Sequence, residues 1–181
     1  MFSGKSSALI SIIRKHEALG LYCMAYKPKL DDRQGVDEYI YTHDGTKIRA
    51  SRITHLVPQM LSVHFEDAKV IIIEEGQFFP DLYDFVINAV EVYKKNVIIA
   101  GLDGDRFRKP FGQILNLIPV ADRITKLTSF CKMCADGTPA LFSYSDSSNT
   151  DTILVAGSDL YKPLCRKHYL HESSKHSPLQ G

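Results

Sequence analysis

Apolar side chains recur at helical spacing near the start of the chain. Leu9, Ile10, Ile12, Ile13 and Leu19 fall on one stripe, and Gly20 stands where such a helix would be capped. Leu21 to Ala25 then reads as a buried strand. Lys69 to Ile73 is a short, β-branched apolar run of strand length. A helical stretch, Leu82 to Lys95, leads into a third strand, Asn96 to Gly101. Pro139 to Tyr144 and Thr152 to Ala156, separated by a polar turn, predict a hairpin. Strands alternating with helices predict an α/β fold with a mostly parallel sheet and covering helices. This order divides the chain into an α/β domain over 1–129, a small lobe over 130–170 and a polar tail over 171–181 that is expected to be disordered.

Composition narrows the picture. A chain of 181 residues suits one core domain with a small appendage, and 44% apolar residues suffice for its core. A net charge of +1 gives no reason to expect affinity for nucleic acid. No apolar run approaches the ~20 residues that span a bilayer, so no membrane partner is expected. No secretory leader is visible. Four cysteines in such a chain point to a reducing compartment, the cytoplasm, and to metal binding rather than disulfides.

Three constellations carry chemistry. The first is Gly4-Lys5-Ser6, which ends a phosphate-binding loop of the pattern Gly, four residues, Gly-Lys-Ser/Thr. Backbone N–H groups of such a loop wrap a phosphate, and the following helix adds its positive end. Lys5 would reach the β- and γ-phosphates, and the Ser6 hydroxyl would ligate Mg²⁺. The leading Gly would fall two residues before Met1, so the pattern predicts a natural start further upstream, with Met1 inside the loop. The second is Glu74-Glu75-Gly76-Gln77, at the end of the predicted strand Lys69 to Ile73, about 70 residues after the loop. A buried parallel strand delivers metal-binding and basic carboxylates at its C-terminal end, and loop first, acids later is the order a phosphotransferase needs.

The third is Cys131-Lys132-Met133-Cys134 followed, about thirty residues on, by Cys165-Arg166-Lys167-His168. Two ligand pairs with two-residue gaps suit tetrahedral Zn²⁺ in a closed, structural Cys₃His site. The span 136–159 holds no Lys or Arg, which disfavours a nucleic-acid-binding ribbon. The remaining cysteine, Cys23, reads as core.

Longer runs then carry a resemblance. Met1-Phe2-Ser3-Gly4-Lys5-Ser6, Asp31-Asp32-Arg33, Thr42-His43-Asp44, Glu75-Gly76-Gln77-Phe78-Phe79-Pro80-Asp81, Leu102-Asp103-Gly104, Arg108-Lys109-Pro110-Phe111-Gly112, Ile114 to Pro119 and both metal pairs occur in this order. In these runs the chain resembles the type II thymidine kinases of vertebrates, bacteria and large DNA viruses. The resemblance implies a P-loop NTPase-type α/β domain with a small zinc-binding β-ribbon lobe. It implies ATP- and Mg²⁺-dependent phosphorylation of the thymidine 5′-hydroxyl. Glu75 takes the place of the catalytic base and Arg33 that of a catalytic cation at the transferring charge. ATP and phosphate contacts are implied for Met1, Phe2, Ser3, Gly4, Lys5, Ser6, Asp31, Asp32, Arg33, Glu74, Glu75, Gly76 and Gln77, and Mg²⁺ contacts for Ser6 and Glu74. Thymidine contacts are implied for Phe78, Leu102, Arg106, Phe107, Phe111, Ser143 and Tyr161. A lasso-like loop with Thr152, Ile153, Leu154, Val155 and Ala156 would read the pyrimidine edge. His43 is read as capping a hairpin. A homotetramer inhibited by dTTP is implied in the same way.

Two positions depart from the family pattern. Glu74 stands where the family writes Asp, so its carboxylate must retract or bind the metal directly. Arg106 stands where the family places an aromatic, with Phe107 one place later. A deoxynucleoside kinase of shifted specificity and a non-catalytic nucleotide-binding relative are therefore the alternatives.

Overall fold

The computed structural model describes residues 3–29, 38–41, 45–145 and 161–175. It divides into two compact units: one of Gly4–Asp103 with Pro110–Ile124, the other of Gly104–Lys109 with the chain from Thr125 onward.

In the larger unit, α1 (Lys5–Glu17) buries Leu9, Ile10 and Ile13. Arg14, Lys15 and His16 lie in its last turn, where cations suit the negative end of the helix. The helix stops short of Leu19, which is 77% exposed and leaves the apolar stripe that the spacing had predicted for it. The predicted strand at 21–25 is β1 (Cys23–Pro28), shifted towards the C-terminus. Its last four residues are buried although they include Tyr26 and Lys27, because β1 is an interior strand.

The sheet is completed by β4 (Ser51–Ile53), β5 (Val70–Ile73) and β6 (Asn96–Ile99), in the order β4-β1-β5-β6. Every pairing in it is parallel, with Tyr26 beside Ile73 and Ile73 beside Ile99. β5 is buried at all four positions, as the unbroken Val-Ile-Ile-Ile run predicts for a strand covered on both faces. Alternation splits it. Val70 and Ile72 pack with Ala25 against Leu9, Ile10 and Ile13 of α1. Ile71 and Ile73 pack with Tyr26, Phe65, Phe79, Leu82 and Phe85 on the other side.

The predicted helix 82–95 is shorter and less regular. α3 (Leu82–Ile87) runs into a π-turn over Asn88–Val92. Lys94 has a positive φ of 55°, and the Lys95 ammonium leaves to donate to the carbonyls of Glu66 and Ala68. β2 (Tyr39–Tyr41) and β3 (Lys47–Arg49) form an antiparallel hairpin on either side of Thr42-His43-Asp44, where a hairpin was expected; the short α2 (Val63–Asp67), whose Ser62 hydroxyl accepts from the Phe65 N–H, was not expected. The capping role read for His43 lies outside the described residues.

The smaller unit holds two antiparallel pairs: β7 (Ser129–Phe130) with β8 (Pro139–Ala140), and β9 (Phe142–Tyr144) with β10 (Lys162–Leu164). The described partner of β9 is thus β10; the hairpin arm expected at Thr152 to Ala156 lies outside the described residues. After β10, α4 (Arg166–Ser174) continues into the segment expected to be a disordered tail. It is held there by buried Tyr169, by the Tyr144 hydroxyl on the Glu172 carbonyl and by the Glu172–Lys175 ion pair at 2.7 Å. Among the described residues, no helix is long and apolar enough to cross a membrane.

Tyr26 makes the core sensitive to alkali. Burial, partly opposed by the Ser62 hydroxyl, pushes its phenol up to about 12 from the ordinary 10. The unfolded chain therefore ionises first, and stability present in full below pH 10 drains away as pH rises from 10 through about 12. Urea unfolding across this range is expected to show a fall that Tyr26→Phe flattens. An equal fall in both proteins would place the alkaline weakness elsewhere.

Candidate active site

The site is built where α1 begins and β5 ends, within the larger unit. Gly4 precedes α1 with φ +77°, in the left-handed region, where a side chain would be strained. The turn it makes starts the helix at Lys5 and Ser6. Beyond Ile73 the backbone stays in register, the Glu74 N–H donating to the Tyr26 carbonyl at 2.9 Å. Strand alternation turns Glu74 to the face that carries α1. There the Ser6 hydroxyl donates to Glu74 Oε1 at 2.7 Å, across 68 positions of sequence. Lys5 and Glu75 each adjoin a member of this contact. The loop fragment and the acidic strand end, joined by argument in the sequence, are joined here by a hydrogen bond. The longer Glu74, in place of the family's Asp, reaches the hydroxyl directly.

Glu75 follows with φ 50° and ψ 47°, left-handed values that are uncommon for a residue with a side chain. The surroundings hold it. The Gly76 N–H donates to the Ala100 carbonyl at 3.0 Å and the Phe78 N–H to the Glu75 carbonyl at 3.1 Å. Gln77 Nε2 donates to Glu75 Oε2 at 2.7 Å. Both acids are largely buried, 9% and 8% exposed, so these contacts stand in for water.

Gln77 is the last residue of the run expected at the phosphates. Its amide is turned inward, with Oε1 accepting the Leu102 N–H at 3.0 Å. Around it lie three residues expected to meet the nucleoside. Phe78 and Phe111 meet edge to face at 5.5 Å, and the N–H of Phe111 donates to the Asp103 carbonyl next to Leu102. Sequence reasoning also missed Lys27. It is 2% exposed and donates to the Tyr39 carbonyl at 2.6 Å. Alternation from Ala25 puts it on the same sheet face as Glu74.

In the smaller unit Arg106 and Phe107 sit in a tight loop, not a strand. Asp105 Oδ1 accepts the N–H groups of Phe107 and Lys109, both at 2.8 Å. The Arg106 guanidinium stacks 4.7 Å from the Phe107 ring, and its carbonyl accepts the Tyr169 hydroxyl at 2.8 Å. Phe107 is 45% exposed. Ser143 lies half-buried in β9, and Tyr161 half-buried just before β10. Met1, Phe2, Asp31, Asp32, Arg33 and Thr152 to Ala156 lie outside the described residues.

Cys131, Cys134, Cys165 and His168 converge, their ligand atoms all within 4.8 Å of one another. His168 Nδ1 is 3.4 Å from Cys131 Sγ and from Cys134 Sγ and 3.5 Å from Cys165 Sγ, and Cys134 Sγ is 3.8 Å from Cys165 Sγ. A zinc tetrahedron with bonds of ~2.3 Å to sulfur and ~2.0 Å to nitrogen has edges of about 3.8 and 3.5 Å, so this set can hold zinc. Burial opposes ionisation of Cys131, yet backbone N–H groups and the His168 ring bring its thiol down to about 6. Burial and the neighbouring thiols push Cys134 up. One ready thiolate beside a reluctant thiol, Cys134, is a set that a cation completes by displacing protons.

Metal content tests the cluster. Zinc is expected to bind with one ion per chain, and Cys165→Ser to lose it. Chelation should strip amide protection from β9, β10 and α4. Unchanged exchange in these elements after complete metal removal would deny the cluster a structural role.

A parallel α/β sheet with Gly-Lys-Ser at a helix start and paired acids at a strand end places the chain among the α/β proteins. The comparisons narrow this class. A family profile described as thymidine kinase matches residues 1–169. A thymidine kinase of Oryza sativa subsp. japonica is 40% identical over 174 residues, covering 94% of this chain and 63% of its own length. Thymidine kinase a of Arabidopsis thaliana is 39% identical over 173 residues, 94% of this chain and 71% of its own. The thymidine kinase of Vaccinia virus (strain Western Reserve) is 39% identical over 170 residues, 94% and 92%. The chain belongs to the thymidine kinase family. It spans a little under two thirds of the rice relative and nearly all of the viral one.

Proposed function

We propose that this chain transfers the γ-phosphoryl group of ATP to the 5′-hydroxyl of thymidine. The observation that carries the reading is the Ser6–Glu74 contact at 2.7 Å beside Glu75, in a chain of this family. Lys5, at the start of α1, draws the β- and γ-phosphates to the helix end, where N–H groups favour anions. Ser6 and Glu74 would hold Mg²⁺. Their oxygen separation is close to the ~3.0 Å edge of an octahedron with bonds of about 2.1 Å. Bound Mg²⁺ neutralises charge on the phosphates. Glu75 accepts the 5′-hydroxyl proton as the oxygen bonds to the γ-phosphorus. The bond from that phosphorus to the β–γ bridging oxygen breaks, and ADP leaves. Phe78, Leu102 and Phe111 offer the nucleoside an apolar wall. Arg33 at the transferring charge, and nucleoside contacts from Ser143, Tyr161 and 152–156, belong to the same reading by family resemblance. So does zinc as a structural ion in the Cys₃His cluster.

A second reading, a deoxynucleoside kinase of shifted base preference, is favoured by one observation: Arg106 fills the expected aromatic place and stacks its guanidinium on Phe107. Competition among thymidine, deoxyuridine and deoxycytidine for turnover separates the two.

Label transfer from γ-labelled ATP to thymidine tests the whole. Glu75→Gln is expected to lower kcat by about 10²–10⁴-fold while ATP still binds. Normal turnover by this variant would remove Glu75 as the base. Failure of the unaltered protein to label any pyrimidine deoxynucleoside would remove the kinase reading itself.

A further inference from the structure

Gln77 is more deeply buried than either acid beside it, at 4% exposed. Its amide orientation is fixed by chemistry. The Leu102 N–H at 3.0 Å is a donor, so Oε1 must face it and Nε2 must face the Glu75 carboxylate at 2.7 Å. The opposite orientation would set donor on donor and oxygen on oxygen.

The space around Gln77 is made by missing side chains. A Cβ on Gly101 would stand 2.6 Å from Gln77 Oε1. A Cβ on Gly112 would stand 2.2 Å from the Gln77 carbonyl oxygen, and Gly112 also has φ +57°. Two segments, one following β6 and one after Phe111, thus approach this residue closely because they carry no side chain there, the first against its amide and the second against its main chain. The acid it holds is the one with the left-handed backbone.

We propose that Gln77 is the positioning residue of the phosphoryl transfer: it ties one oxygen of Glu75 to the end of β6 and so fixes the direction from which the carboxylate meets the 5′-hydroxyl. The proposal rests on the reading of Glu75 as base. A carboxylate free to rotate about its last bond spends most of its time misaimed. A carboxylate with one oxygen anchored through an amide to a backbone N–H does not. Gln77 touches no reacting atom; it acts through Glu75.

Steady-state kinetics with ATP and thymidine test the assignment. Gln77→Met removes both hydrogen bonds. Gln77→Glu keeps the shape and an acceptor for Leu102, and replaces the amide donor by a carboxyl that repels Glu75 or shares a proton with it. Both are expected to lower kcat by about 10–100-fold with KM for either substrate changed less than about threefold. Gly101→Ala, which crowds Oε1, is expected to lower kcat in the same direction. In a Glu75→Gln background, Gln77→Met is expected to add no further loss. The proposal is overturned by wild-type kcat in Gln77→Glu, by KM values that rise as kcat falls, or by an equal loss from Gln77→Met with and without Glu75. Should Gln77→Met fail to fold, Gln77→Glu alone decides. If Glu75→Gln by itself turns over normally, the base assignment has failed, a result distinct from all of these.

Discussion

Two adjacent carboxylates at the end of a dry strand are the constraint around which the larger unit is arranged. β5 is buried at every position and delivers Glu74 and Glu75 where water scarcely reaches. A carboxylate so placed needs donors from the protein itself. The hydroxyl comes from the first turn of α1 and the amide from the turn after the acids. The apolar stripe of α1 against Ala25, Val70 and Ile72 sets the helix where its first turn can supply that hydroxyl. Packing and polar chemistry therefore specify the same docking.

The smaller unit is held by different means. Its strands are two or three residues long and its apolar cluster is small, built on Tyr144, Leu164 and Tyr169. Arg108 and Arg166 lie over its aromatic rings, capping apolar faces with cations. Two of the four clustered ligand residues, Cys131 and Cys165, are themselves buried in that cluster. A core of this size leaves much for a cross-link to do, and the Cys₃His set, with its near-tetrahedral spacings, is compatible with one.

What could be read in the chain beforehand follows from how local the signal is. The Val70–Ile73 run, the stripe of α1 as far as Ile13 and the paired Cys and His residues each declare themselves within a few residues, and each is found where expected. Lys27 and Tyr26 were hidden because their burial depends on β4 and β5 lying on either side of β1, which the residues of β1 do not encode. Leu19 kept the helical period but lay past the end of the helix. The end of α3 was misjudged because a π-turn preserves helical composition while changing the path. The inward turn of the Gln77 amide depends on the absence of a side chain at Gly101, far along the sequence. Arg106 and Phe107 lie in a loop held by Asp105, so strand alternation does not set the direction of either side chain.

The spacing of Gly101 and Gly112 bears on how base preference can change. Leu102 and Phe111, which the proposed reading sets against the nucleoside, are each joined directly to a glycine whose added Cβ would press on Gln77. Libraries aimed at that wall therefore have little backbone slack, and new selectivity must come from side-chain shape at Leu102 and Phe111 without displacing the chain behind them.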